Sequence, residues 1–372
     1  MKRLRLAVIG VGHLGRIHAR LAREFPGWQL CGVVDPQPHA RQAVQDELGV
    51  PAYPDLSALS DPIDAAIVAT PSATHYAVAS QLLQRGAHLL VEKPLTLNVA
   101  DAQQLIRQAE QAKRVLHVGH VERFNPALVA VRTHLPRPTL ILAQRVGAYT
   151  GRSLDVGVVL DLMIHDLDIV LTLMGDDRIV GVQVTGAAVV GPNEDWAQVQ
   201  LAFASGGVAH LFASRIGWRP RRSMEVFAPQ VLAEIDFASR KAWLARPDRP
   251  PLRLGAEESP AYLATPPAPG NFADEVLHLE ELTVPQCNPL LEEQRQFYLA
   301  ISEGASQGVT GQEALQAIDL AEKILAALAV QRLRLQDQTV TDSGILRPPM
   351  PPELSVLRGP HWGRRAVHRK AG

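Results

Sequence analysis

Cysteine is almost missing from the sequence: Cys31 and Cys287 are its only two among 372 residues. A chain this long gains little from one disulfide, so a reducing, cytoplasmic setting is the expectation. An excess of either charge is missing as well. Lys and Arg number 37 and Asp and Glu 38, for a net charge of -1, which argues against a nucleic-acid-binding surface. Aromatic residues are scarce at 5%, yet hydrophobic residues reach 47% and charged ones 20%, as in a folded chain. Long uninterrupted apolar runs are lacking too. Leu6 to Val11 follows Lys2, Arg3 and Arg5 but is short, and Arg16, Arg20 and Arg23 come next with no small-residue cleavage site, so export is not expected. Val156 to Met174 is long enough to span a bilayer but carries Asp161, His165, Asp166 and Asp168, so no membrane span is expected either.

What is present is alternation. Apolar strand-like runs at Leu4 to Ile9, Leu30 to Val34, Ala65 to Ala69, His88 to Val91 and Val115 to Gly119 are separated by helical stretches ending near Phe25, Leu48, Arg85 and Ala112. That order predicts an α/β fold with a parallel sheet covered on both faces and a ligand at the carboxyl ends of its strands. After Pro126 the texture changes. A helix to about His134, an extended Thr139 to Val146 and an apolar helix Gly157 to Met174 precede strand-like runs from Val180 to Phe237, which predict a mostly antiparallel second sheet. Pro247 to Pro269 reads as a loop, helices return at Leu290 to Glu303 and Gly311 to Leu333, and the Pro-rich basic end from Arg347 reads as disordered or draped over a surface. The expected domains are 1–122 for a dinucleotide, 123–335 for substrate and oligomerisation, and a tail, 336–372.

Gly10, Gly12 and Gly15 follow a strand, open a helix and stand before Asp35, which lies 20 positions beyond Gly15. This is the context in which a glycine-rich turn holds a pyrophosphate at a helix N-terminus, with His13 and Leu14 inside the turn. Asp35 suits the adenosine ribose hydroxyls and repels a 2′-phosphate, and no arginine adjoins it, which favours NAD. Thr70, Pro71 and His75 stand at the same sheet edge and are candidates to line the cofactor's path, whereas Ser72 reads equally well as a helix cap. Glu92, Lys93 and Pro94 follow the strand His88 to Val91, so Lys93 is placed to exchange a proton with a substrate hydroxyl, and Pro94 is a candidate for a cis bond.

Asp161, His165, Asp168 and Thr172 recur at i, i+4, i+7 and i+11, one stripe of a helix otherwise suited to burial. A histidine flanked by carboxylates is oriented and kept basic, as an alcohol's general base requires. A polar seam between domains and a metal site made by Asp161, His165 and Asp168 are the competing readings.

In that order and spacing, the glycine turn, Glu92-Lys93-Pro94 and Asp161-x-x-x-His165-x-x-Asp168 resemble the Gfo/Idh/MocA oxidoreductases over residues up to about 330. The glycine cluster many members carry before the catalytic helix is reduced here to Val156-Gly157-Val158. The resemblance implies a Rossmann domain, a second domain whose open sheet forms homodimers or homotetramers, and hydride transfer between a sugar-like alcohol and NAD. It also implies Lys93, Asp161 and His165 as the catalytic trio. The stretch Val118 to Pro126, with Asp155-Val156-Gly157 and Arg221 to Phe227, is similar to a subgroup acting on nucleotide sugars, best known for oxidising UDP-N-acetylglucosamine at C3 in lipid A synthesis. For such a substrate Arg123, Asn125, Arg145, Tyr149 and Asp168 are the candidate contacts; Arg152, Arg215, Arg219, Arg221 and Arg222 enlarge the pool of arginines for a diphosphate, of which no more than two or three are expected to touch it, the rest being solvated surface charges. A dehydrogenase of a free polyol such as myo-inositol and a non-catalytic NAD-binding redox sensor are the alternatives.

Overall fold

The computed structural model describes residues 3–151, 156–247 and 277–340, with side chains to 333. The loop expected beyond Pro247, together with Arg152, Asp155 and the tail from 341, falls outside the described residues. The described residues up to Leu328 form one compact unit; a second begins at Ala329 and is helical through Val340.

Six parallel strands, β1 (Leu4–Ile9), β2 (Trp28–Val34), β3 (Ala52–Tyr53), β4 (Ala65–Val68), β5 (His88–Glu92) and β6 (Leu116–Gly119), lie in the order β3-β2-β1-β4-β5-β6. Leu6, Val8, Ile67, Leu90 and Val91 are almost wholly buried, as near-continuous apolar strands covered on two faces must be. The connecting helices are α1 (His13–Glu24), α2 (Pro38–Leu48), α3 (His75–Gln84) and α4 (Val99–Gln111). Asn98 caps α4 by accepting the Asp101 N–H at 2.8 Å. Strand order reverses between β1 and β4, and the glycine turn sits at that switch.

The second half opens with α5 (Pro126–Arg132), begun by Pro126 behind the Asn125 cap. Eight strands follow: β7 (Leu140–Val146), β8 (Ile179–Ala187), β9 (Trp196–Phe203), β10 (Val208–Ser214), β11 (Arg221–Ala228), β12 (Val231–Asp236), β13 (Lys241–Pro247) and β14 (Leu277–Glu281). Their order is β14-β13-β12-β11-β7-β10-β9-β8, antiparallel except between β7 and β10. Along β9, Ala197, Val199, Leu201 and Phe203 are buried on one face. The sequence pattern had indicated neither β3, too short for any periodicity, nor β13 and β14, which flank the Pro-rich segment.

Three features depart from the sequence reading. The helix expected from Gly157 to Met174 is a π-helical turn, Val159–Met163, running into α6 (Ile164–Met174), so Asp161 lies on a wider turn than the residues it was aligned with. And α7 (Pro289–Ser302), from the segment read as the second domain, packs into the first: Phe297 lies tilted and Tyr298 edge-on against Trp28, with ring centres 5.7 and 5.3 Å apart. The last helix, α8 (Gly311–Val340), runs past the expected end at Leu333.

His117 on β6 is buried, with Nε2 3.4 Å from Ser306 Oγ. Burial pushes this imidazole down to about 4. Below the unfolded-state value the unfolded chain binds the additional proton, so stability is intact above about pH 6.5 and falls as pH drops towards 4, by roughly 3 kcal/mol at most. Urea unfolding of wild type and His117→Gln at pH 7 and pH 5 measures this: the wild-type decline over that interval exceeds the variant's, and equal declines would remove His117 as its cause.

Candidate active site

The glycine turn is built for close approach. Gly10 has φ +86°, and a Cβ there would stand 2.6 Å from the Ala69 carbonyl oxygen. A Cβ on Gly15 would meet the Gly10 oxygen at 1.9 Å, whereas one on Gly12 would meet nothing within 4 Å. The first two glycines serve the fold, and Gly12 keeps the space in front of α1 open. Helix α1 starts at His13 with no side-chain cap and no acid in its first turn, leaving its N-terminal N–H groups and positive end for an anion. These residues fit a dinucleotide pyrophosphate. Gly12→Val therefore leaves the unfolding midpoint nearly unchanged while weakening NAD at least 10-fold by fluorescence titration. Equal affinity would place the pyrophosphate elsewhere.

Asp35, at the end of β2, is 8% exposed, and its two carboxylate oxygens accept the Val11 and Gln37 N–H groups at 2.8 Å each. The acid is thus oriented by backbone, with lone pairs left for a ribose. No arginine adjoins it in sequence, but Arg41 reaches back from α2 to donate to the Asp35 and Pro36 carbonyl oxygens.

A cavity of about 380 Å³ opens at the carboxyl ends of β4 and β5, walled by Leu14, Thr70, Pro71, Ser72, His75, Glu92, Lys93, Pro94, Val156, Leu160 and Asp161. Ser72 makes no capping bond and belongs to this wall. His75, 1% exposed, bridges the Thr70 and Pro94 carbonyl oxygens at 2.9 and 2.8 Å, so it braces two walls. The Lys93–Pro94 peptide is cis. Lys93 Nζ donates to the Asp161 carbonyl oxygen at 2.5 Å and to its Oδ1 at 3.3 Å, joining the Rossmann edge to the π-helical turn.

Around Glu92, the residue before Lys93, lies a group the sequence did not announce. Gln294 Nε2 donates to both Nδ1 and the carbonyl oxygen of His18, at 3.0 and 3.1 Å. Nδ1 is therefore the acceptor, and Nε2–H donates to Glu92 Oε1 at 2.8 Å. Glu293, 2% exposed beside them, is pushed well above the ordinary carboxylate range by burial and by the Glu92 charge, and is held as the neutral acid. His18 and Gln294 are 276 positions apart, beyond any local pattern.

His165 departs from its expected surroundings. No carboxylate bonds it among the described residues, and its buried Nδ1 has no protein partner. Burial, then the charge of Lys93, then those of Arg145, His120 and Arg222 hold the imidazole well below its ordinary pKa. It is neutral and ready to accept a proton, not kept basic by flanking acids. Asp168 instead receives Arg123 through Nε and Nη2 at 2.8 and 2.7 Å, so Asp161, His165 and Asp168 do not converge on a metal-sized point.

Most of the expected substrate contacts are likewise paired with protein groups and, like His165, are absent from the lining of this cavity. Arg123 also reaches Glu313 at 2.7 Å, and Arg145, 3% exposed, is locked between Asp166 and Glu122 at 2.8 Å each. Asn125 caps α5 and donates to Glu122 Oε2 and the Phe237 carbonyl oxygen. Arg215 is taken by Asp195 at 2.7 Å. Arg123, Asn125, Arg145 and Asp168 thus build a buried seam between the two halves of this unit and do not wall the cavity, whereas Tyr149 is 41% exposed.

Residues 4–120 match the family model described as oxidoreductase family, NAD-binding Rossmann fold, and residues 125–230 match the Gfo/Idh/MocA C-terminal domain. The UDP-N-acetylglucosamine 3-dehydrogenase of Acidithiobacillus ferrooxidans is 40% identical over 238 residues, covering 64% of this chain and 75% of that protein. A solved structure of the enzyme of that name from the same organism superimposes with TM-score 0.77 at 33% identity, covering 88% of this chain and 98% of that one. The scyllo-inositol 2-dehydrogenase (NAD(+)) of Bacillus subtilis is 30% identical over 237 residues, covering 57% of this chain and 67% of that protein. With the glycine cradle, the Lys93–Asp161 pair and both domain matches in one chain, the protein belongs to the Gfo/Idh/MocA family, as an oxidoreductase whose Rossmann domain binds NAD.

Proposed function

We propose that this enzyme oxidises a ring hydroxyl of a nucleotide sugar, UDP-N-acetylglucosamine or a close analogue at C3, in lipid A or cell-surface polysaccharide synthesis. One observation carries the reading: an ammonium held by Asp161 in the cavity wall, with a neutral imidazole under its influence. Bound NAD supplies the hydride acceptor. Lys93 stabilises the developing alkoxide, Asp161 fixes the ammonium, and His165 accepts the hydroxyl proton. Gly12, His13 and Leu14 face the pyrophosphate within the turn that Gly10 and Gly15 shape, Asp35 holds the ribose, and Thr70, Pro71, His75 and Glu92 shape the nicotinamide pocket. Arg222 has no carboxylate partner among the described residues, and its charge reaches His165. It is the diphosphate contact in this reading, with Tyr149 beside the sugar-nucleotide. The division of labour is residues 1–122 for cofactor, 123–335 for substrate and for a homodimer or homotetramer through the second sheet, and 336–372 as a tail, all in the cytoplasm. Among the described residues no helix is long and apolar enough to cross a membrane.

A polyol such as myo-inositol is the second reading, favoured by the Bacillus relative. NADH formation with UDP-N-acetylglucosamine, other UDP-sugars, free sugars and inositols decides between them. Turnover of a UDP-sugar well above the free sugars is the expected result. Turnover of inositol alone supports the second reading, and NAD binding with no turnover at all would leave a redox sensor.

A further inference from the structure

His120 has no part in the chemistry above, yet it occupies a telling place. It follows β6 directly, at the same sheet edge that carries Lys93 at the end of β5. It is 1% exposed, and neither Nδ1 nor Nε2 has a hydrogen-bond partner among the described residues. Its ring stands edge-on to His165 with centres 6.5 Å apart, and the Nδ1 that lacks a partner in His165 is buried as well. On its other side Nδ1 lies 3.9 Å from Asp168 Oδ2. Buried polar atoms are nearly always satisfied, so three unpaired ring nitrogens in one small region mark a place where protons or water are handled. The 6.5 Å between ring centres exceeds direct N–H···N reach and suits one bridging water.

Burial holds the His120 imidazole below its ordinary pKa, Asp168 and Glu92 oppose this and Arg123 and Lys93 add to it, so a proton placed there is carried only in passing. Facing His120 are Asp168 and His165 from α6, Arg123 from the turn that follows His120, and Lys93 and Glu92 from the end of β5. Asp168, Arg123 and Glu313 form a chain carrying one surplus negative charge, which a protonated His120 would neutralise. His165 has no such balance. The charges of Lys93, Arg145 and Arg222 all disfavour a proton on it, even with Asp161 paired to Lys93 and Asp166 and Glu122 paired to Arg145, so a proton it accepts is readily passed on.

We propose that His120 is the second proton carrier of the dehydrogenation, receiving through a bridging water the proton that His165 takes from the substrate hydroxyl and holding it against Asp168. The step balances: the carbinol C–H leaves as hydride to NAD, the O–H proton passes to His165 and then to His120, the C=O bond forms, and His120 later releases the proton to solvent. The proposal rests on the alcohol-oxidising reading, and its test must fail separately from that reading.

His120→Gln keeps the volume and hydrogen-bonding capacity but carries no proton. With whichever alcohol the wild-type enzyme turns over, kcat falls at least 10-fold with KM and NAD affinity within about 2-fold, a larger solvent deuterium effect appears, and added imidazole restores part of the rate in His120→Ala. A kcat within 2-fold of wild type across pH 6 to 9, or a loss confined to KM or to the unfolding midpoint, would overturn it. A readout independent of substrate comes from NMR titration of ring-labelled histidines in the intact protein. The His165 signals of wild type and His120→Gln differ in titration midpoint if the rings are coupled, and coincident curves overturn the proposal even if no alcohol is ever found.

Discussion

Replacing Lys93 by Met lowers kcat about 10³-fold, some 4 kcal/mol of transition-state stabilisation, while NAD affinity stays within about 2-fold. Methionine keeps the apolar stem against the cavity wall and removes only the ammonium, which donates to Asp161 at its carbonyl oxygen and Oδ1. That charge acts twice. It stabilises the alkoxide as the hydroxyl proton leaves, and after burial it is the largest influence depressing His165. Without it the His165 pKa rises towards its ordinary value. The residual activity of Lys93→Met is therefore lost on acidification at a higher pH than in wild type, because a His165 already protonated cannot accept the substrate proton. His165→Asn loses as much rate, with no such acid limb. Steady-state NADH formation from pH 5 to 9 with both variants checks this. Rates within 10-fold of wild type in both would end the assignment of this pair.

The parallel sheet was legible because each strand is a short apolar run bounded by glycine or a chemical residue, a pattern local in sequence. The glycine turn and Asp35 were legible for the same reason: a strand, a tight turn and a helix start lie within six residues of Gly10, and the acid stands at the next strand's end. Lys93 could be placed because the end of a buried strand leaves few options. What sequence spacing could not show was pairing at long range. The regular stripe from Asp161 to Thr172 assumed α-helical turns, and the π-helical turn at Val159–Met163 removes that assumption at the position where Asp161 turns to Lys93. The carboxylate partners of the candidate arginines were not visible because they lie far away in the chain: Arg123 meets Glu313 across 190 positions. His120 carried one signal, its position directly after a parallel strand, shared with Lys93.

Arg145 is where stability and chemistry meet. It is 3% exposed, donates to Asp166 through Nε and Nη2 and to Glu122 through Nη1, and its guanidinium carbon stands 5.6 Å from the centre of the Phe237 ring. Arg145→Met retains most of the volume, strands Asp166, which is 2% exposed, and leaves Glu122 with Asn125 alone. Breaking a buried pair on one side costs about 3–5 kcal/mol, because the remaining charge has neither water nor partner. Burial already raises the Asp166 pKa, and losing Arg145 raises it further, so in the variant Asp166 takes up a proton on folding. A folded-state pKa above the unfolded one means that stability is recovered as pH falls through it. Urea unfolding at pH 7.5 and pH 5.5 should thus show a smaller loss at the lower pH, and Arg145→Met with Asp166→Leu should regain part of the loss at both. Arg145 is also among the charges that depress His165, so the variant's kcat profile acquires an acid limb at higher pH than the wild type's. A loss under about 1 kcal/mol at pH 7.5, with an unmoved acid limb, would show that the seam beside α6 neither holds the second sheet nor sets the charge state of the base.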